Sequence, residues 1–327
     1  MDVLDRLQLE VPVVQAGLGG GLARSELAAA VSAAGALGTI GILPPGLLRR
    51  ELRGAAEAAP GRPVAVNLLM PFVTREHADV CVAERPAVAV LFCGHDAELV
   101  ARLRAARIVV LHQVGTVERA KQALHEGADG LIVQGVEAGG HVLATQPLST
   151  MLPAVRALTK DRPVLAAGGA VDAGDVADLL AQGAGAVVAG TRFLLTEECQ
   201  AHRGYQQRVV DATATVVTRL FGVGWRDPHR VLVNDAVRRW CDAAGRERAL
   251  PRVLTTVTLP LARRAPMSQA DRAKRLQRVG LPLFTPAAPL RGDDDARLET
   301  TPLYAGAAVA RLHDVLPAAE AVRRLSP

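Results

Sequence analysis

Eight short apolar runs alternate with helix-patterned segments before residue 192, and this alternation is what most restricts the fold. The runs are VPVVQA (11–16), ALGTIGI (36–42), PVAVNLL (63–69), AVAVLFC (87–93), RIVVLHQV (107–114), DGLIVQG (129–135), PVLAAGG (163–169) and GAVVAGT (185–191). Continuous rather than alternating apolarity marks strands buried on both faces, as in a parallel sheet. The intervening stretches carry helix boundaries: Ser25, Thr74, Thr116 and Asp172 are candidate caps, and Gly35, Gly127, Gly183 and Pro86 are stops. Eight strand–helix units predict an α/β fold of the (β/α)8 TIM barrel type ahead of a doubly wound sheet, which usually has fewer strands. HEGADGLIV and AQGAGAVVA echo each other as helix-end glycine followed by strand.

Beyond Thr196 the pattern changes. QQRVVDATATVVTRLF, RVLVNDAVRRWCDAA and DRAKRLQRV read as helices, PLFTPAAPLRGDDDARLETTP as loop, and AGAAVARLHDVLPAAEAVRRL as amphipathic helix. The expected organisation is a barrel over 1–199, a mainly helical addition over 200–300 covering the active-site face, and a segment 301–327 whose helix returns to the barrel.

Composition excludes several classes. The +5 net charge comes from scattered arginines with only three lysines, and aromatics are 3%, too few for base-stacking platforms, so nucleic acid is not an expected partner. Four cysteines without CxxC spacing read as reduced thiols of a cytoplasmic protein. MDVLDRLQLEVPVV lacks the basic and apolar regions of a signal peptide, and no uncharged apolar run has the length of a membrane span.

A barrel places its chemistry where strands end. The polar residues there are Gln15, Asn67, His112, Gln113 and Gln134, with Gly168-Gly169 and Gly190-Thr191 after the last two strands. No strand end carries Asp, Glu or Lys, and the eight histidines lack paired ligand spacing, so neither a resident metal nor a Schiff-base lysine is expected. Amides suit a neutral heterocycle bearing N–H and C=O groups, and an isoalloxazine ring is one such partner. Glycines after the seventh and eighth strands suit a phosphate, because backbone N–H groups can approach it closely. Together these point to FMN. In QGVEAGGHV, Gln134 is expected to face the ring, Gly139-Gly140 to bring the backbone close, and His141 to stand over the ring and handle a proton or a negative charge. Glu137 reads as a structural hydrogen-bond acceptor. Tyr205 and Tyr304, the only tyrosines, are candidates for the substrate side.

At these residues the chain resembles the nitronate monooxygenase (2-nitropropane dioxygenase) family, relatives of the flavin-dependent enoyl reductases. The similar blocks are VVQAGLGGG, LAAAVSAAGALGTIG, VAVNLL, GADGLIVQGVEAGGH, LAAGGAVDAGDVADLLAQGAGAVVAGTRFLLTEE and PLYAGAAV, so the resemblance spans nearly the whole chain. It implies FMN contacts from Ala16, Gly17, Asn67, Gln134, Gly139, Gly140, Gly168, Gly169, Gly190 and Thr191, and a catalytic role for His141. It also implies oxidation of alkyl nitronates by O2 to a carbonyl compound and nitrite. HVLATQPL lacks the glycine that usually follows the histidine and AGAAV the usual glutamine; both departures touch the substrate side.

The leading expectation is therefore an FMN monooxygenase with a small-molecule substrate and O2 as partners, a homodimer being among the assemblies open to it. The alternative is an NAD(P)H-dependent FMN reductase of an enoyl thioester or quinone on the same scaffold. An inosine-monophosphate-type dehydrogenase would need a loop cysteine that neither AGGAVDAG nor VEAGGH supplies. A flavin binder without chemistry would not need His141.

Overall fold

A computed structural model describes residues 7–159, 161–225, 227–262 and 270–327. The expectation of a leader-free start falls partly on residues 1–6, outside the described residues.

All eight expected strands form. In chain order the elements are β1 (Val13–Gln15), α1 (Ser25–Ala33), β2 (Gly38–Ile40), α2 (Pro45–Ala58), β3 (Val64–Leu69), α3 (Arg75–Glu84), β4 (Val88–Phe92), α4 (Ala97–Ala105), β5 (Val109–Val114), α5 (Val117–His125), β6 (Gly130–Gln134), β7 (Gly140–His141), α6 (Leu148–Arg156), β8 (Val164–Ala167), α7 (Ala173–Ala181) and β9 (Ala186–Ala189). Eight of these strands are parallel in the order β1-β9-β8-β6-β5-β4-β3-β2. The ring closes where Gln15 N donates to Leu37 O at 2.9 Å and Leu37 N to Val13 O at 3.0 Å. Its interior is filled by small branched side chains, among them Val14, Leu37, Val90, Leu111, Ile132 and Val188, which explains how so few aromatics suffice.

Three of the four expected caps act as such. Thr116 accepts from Arg119 N and Asp172 from Asp175 N, while Thr74 forms a capping box with His77. Ser25 instead lies inside α1 and gives its N–H and hydroxyl to Glu51 of α2 at 3.1 and 2.6 Å, so a neighbouring helix caps α1.

After α8 (Thr191–Leu194), which follows β9, the addition comprises α9 (Arg203–Val210), β10 (Val216–Thr218), β11 (His229–Val231), α10 (Asp235–Trp240), α11 (Ala249–Ala262) and α12 (Ala270–Leu276). Two stretches read as helices therefore contain strands. VVT of QQRVVDATATVVTRLF is β10, and the start of RVLVNDAVRRWCDAA is β11. VVT is wholly β-branched and HRV ends on Val231, and antiparallel pairing of β10 with β11 and of β11 with β7 overrides their helical spacing. Only the last part of the C-terminal run is α-helix, α13 (Ala318–Leu325). It buries Ala318, Ala321, Val322 and Leu325, an i, i+3, i+4, i+7 stripe, against α1, α7 and α8. Burial of such a Val or Leu contributes roughly 1.5–3 kcal/mol.

Candidate active site

A cavity of about 670 Å³ opens at the C-terminal ends of the barrel strands. Ala16, Gly17, Asn67, Gln134, Gly139, Gly140, His141, Gly168, Gly169, Gly190 and Thr191 all line it, so the residues singled out in the sequence converge on one space. The lining is largely apolar. Arg272 is the one charged side chain among the described residues that line it.

Strand-end polarity does not all face inward. Gln113 lines the cavity, whereas Gln15 does not; its Oε1 accepts from Thr39 N at 2.8 Å and its Nε2 donates to Ala16 O, tying β1 to β2. His112 is buried on another face of β5. Asn67 lies over Gly17, its Nδ2 donating to the Gly17 carbonyl at 3.4 Å. Gln134 reaches the cavity wall, but its amide is committed to the loop beyond it. Nε2 donates to His141 O at 2.9 Å, and Oε1 accepts from Leu143 N at 2.8 Å. Its visible work is to set His141 in place. Glu137 accepts from Leu148 N at 3.1 Å and so starts α6, the structural role its position suggested.

The two loop glycines have different causes. A Cβ on Gly139 would stand 2.6 Å from Ala305 C and Gly306 N, so the closeness here is to the C-terminal segment. Gly140 has φ +73°, and a Cβ there would meet nothing within 4 Å. Gly169, at φ +82°, is equally open. Both therefore bare their backbone to space. Thr191 Oγ1 accepts from Gly306 N at 2.9 Å, which leaves its hydroxyl to meet any further group as a donor.

His141 is held by both halves of the molecule. Its strand β7 pairs with β11, placing it opposite His229, and Val142 N donates to Pro228 O at 2.8 Å. The imidazole stacks on Trp225 with centroids 3.4 Å apart and planes within 6°. His229 and Tyr304 lie 5.2 and 5.7 Å away. His141 Nε2 is buried without a hydrogen-bond partner. Burial, then the neighbouring His229, holds the imidazole well below the usual histidine range, so it is neutral at pH 7. Burial also pushes His229 down to about 4, and its Nε2 accepts from Phe221 N at 3.3 Å.

Tyr304 does line the site; its hydroxyl donates to Pro286 O at 2.8 Å. Tyr205 also borders the cavity but is wholly buried, and it donates to Tyr304 O at 2.5 Å, bracing that segment. Trp225 and His229 were missed in the sequence. FGVGW and HRV carry no spacing that ties them to residue 141; only the β7–β11 pairing does.

A glycine-walled, mostly apolar cavity at the top of such a barrel, with a neutral histidine on its wall, is where a barrel enzyme carries its chemistry. The nitronate monooxygenase family model matches residues 2–80 and 70–327, and the chain belongs to this family of oxidoreductases. One curated relative, from Rhodococcus jostii, is (3aS,4S,5R,7aS)-5-hydroxy-7a-methyl-1-oxo-octahydro-1H-indene-4-carboxyl-CoA dehydrogenase. It is 37% identical over 236 residues, 69% of this chain, and the match spans 64% of the relative's length. A Neurospora crassa nitronate monooxygenase is 33% identical over 47% of this chain and 46% of its own. Among solved structures, nitroalkane oxidase from Streptomyces ansochromogenes has a TM-score of 0.77 at 28% identity, covering 99% of this chain and 96% of that one. FabK from Thermotoga maritima has 0.76 at 25%, covering 99% and 94%.

Proposed function

We propose that the protein is an FMN-dependent monooxygenase that oxidises alkyl nitronates with O2 to a carbonyl compound and nitrite. The observation that carries this reading is His141: a neutral, buried imidazole with an orphaned nitrogen on the wall of a cavity whose other polar groups, Arg272 apart, are amides, hydroxyls and bare backbone. The residues fit the cofactor. A Cβ at Gly140 or Gly169 would project into open space, room that suits a close-approaching ligand. Gly168, Gly169, Gly190 and Thr191 would hold the phosphate by backbone N–H groups and a hydroxyl. Ala16, Gly17, Asn67, Gln134, Gly139 and Gly140 would flank the ring. Held by these residues, FMN would supply the electron-accepting and O2-reducing chemistry.

The protein's own part is positioning and proton control. A nitronate already carries its electron pair on carbon, so no strong base is needed, and none lines the cavity among the described residues. Neutral His141 would donate a hydrogen bond to the anionic substrate or move one proton, with Gln134 holding its backbone and Trp225 its ring. The apolar wall would exclude water and strengthen that contact.

A second reading has its own support: the relative named as a carboxyl-CoA dehydrogenase points to thioester chemistry on this scaffold. Anaerobic mixing separates the two. Bleaching of the flavin by propyl-2-nitronate without NADH or NADPH supports the first. Bleaching by NADPH with turnover of an enoyl thioester or quinone, or by an acyl-CoA, overturns it in favour of the second.

A further inference from the structure

Three side chains outside the cavity form a second polar cluster. His95 follows β4, His112 lies within β5, and Glu126 follows α5. On β5, Leu111 belongs to the barrel interior and Gln113 lines the cavity. Alternation sends His112 to the opposite face, which α4 and α5 cover. One donor atom from each of the three side chains lies within 4.8 Å of the others.

Their hydrogen bonds are unusual for a merely structural cluster. His95 Nδ1 lies 3.1 Å from Glu126 Oε2, while Glu126 Oε1 accepts from Gln122 Nε2 at 2.9 Å. His112 Nδ1 lies 3.3 Å from its neighbour's carbonyl, Gln113 O. The two imidazoles stack at 4.4 Å with planes 19° apart. The Nε2 atoms of both are buried and have no partner. His112 is 1% exposed, and the His95 and Glu126 side chains 13% and 12%. Buried polar atoms normally find a partner, and here two adjacent ones do not. His95 Nδ1 and Glu126 Oε2, 3.1 Å apart, are the pair that one ion would bridge in place of their shared proton, and His112, with its Nε2 partnerless, stands in the same cluster as the third donor.

We propose that His95, His112 and Glu126 form a site for one divalent transition-metal ion of the Zn²⁺ type. Imidazole nitrogen and carboxylate oxygen are its ordinary donors, and three protein ligands leave a fourth position for water. Bonds of about 2.0–2.2 Å place the donors of a tetrahedral ion roughly 3.3–3.6 Å apart, so the side chains close by about 1 Å on binding. The ion would fasten the turn before α4 and the end of α5 to the strand that carries Gln113. None of the three ligands lines the cavity, so the ion takes no part in its chemistry.

The test uses the full chain, stripped with chelator and dialysed, then titrated with ZnCl2 alone by calorimetry, with metal content measured afterwards. One Zn²⁺ per chain and a raised melting temperature are expected. Glu126→Gln and His95→Ala should each weaken binding by roughly tenfold or more. His125→Ala, at an exposed neighbouring position, should leave it unchanged. Binding equal in wild type and Glu126→Gln, or no stoichiometric binding, overturns the proposal. Should the variants fail to fold, Co²⁺ added to wild type decides: intense visible d–d bands of a four-coordinate ion support the site, and their absence overturns it.

Discussion

The two walls of the cavity are built in different ways. The glycine wall, Gly168-Gly169 and Gly190-Thr191, consists of the ends of β8 and β9, and each piece is set by its own strand and the following turn. The other wall gathers His141, Trp225 and Tyr304 from distant parts of the chain, with His229 behind His141, and it exists only because β7 pairs with β11. One wall is local and open-backed; the other is long-range, aromatic and closely packed. Changes in the first should therefore act on cofactor affinity, and changes in the second on turnover and folding.

The largest expected effect is at the second wall. His141→Ala should slow nitronate turnover by roughly 10²–10⁴-fold while FMN stays bound, read by steady-state kinetics and flavin absorbance on the same sample. Loss of flavin in that variant would break the division between the walls.

The same contrast decides what the sequence could disclose. The glycine wall was legible because strand, glycine pair and helix follow one another within a dozen residues. All eight barrel strands were legible for the same reason. The aromatic wall was not. β10 and β11 are three residues each; they pair with each other across the loop between them, and β11 pairs with β7 across some ninety residues. Nothing local marks Trp225 as a partner of His141. Gln134 lines the cavity, and its amide also holds the His141 loop, a task that no local pattern marks. Gly139 likewise answers to Ala305 and Gly306, residues that the sequence gives no reason to bring there.

An acid titration probes the aromatic wall by stability. His229, pushed down to about 4, and His141, held well below 6.5, are both buried neutral. The unfolded chain takes up protons on these imidazoles near pH 6.5, whereas the folded chain resists until well below. Their contribution is thus complete above about pH 6.5 and is lost as pH falls toward 4. His229 alone accounts for about 3 kcal/mol of that loss. Urea unfolding at pH 7.5, 6 and 4.5 should show it. His229→Gln should flatten the profile, and an unchanged slope in that variant would remove His229 from the account.

At the glycine wall, Gly169→Val should weaken FMN binding by about 1.5–3 kcal/mol, through loss of one phosphate hydrogen bond and a side chain forced to φ +82°. Turnover at saturating FMN should fall far less than in His141→Ala. Unchanged affinity in a folded variant would take Gly169 out of the site.

The central claim is that this cavity holds FMN. Its most direct measurement is flavin analysis of supernatant released by heating the purified protein, together with binding of added FMN and FAD to the stripped chain. The account predicts FMN in the supernatant, one FMN rebound per chain with a raised melting temperature, and weaker binding of FAD. A supernatant without flavin, and a stripped chain that neither binds FMN nor is stabilised by it, would contradict it.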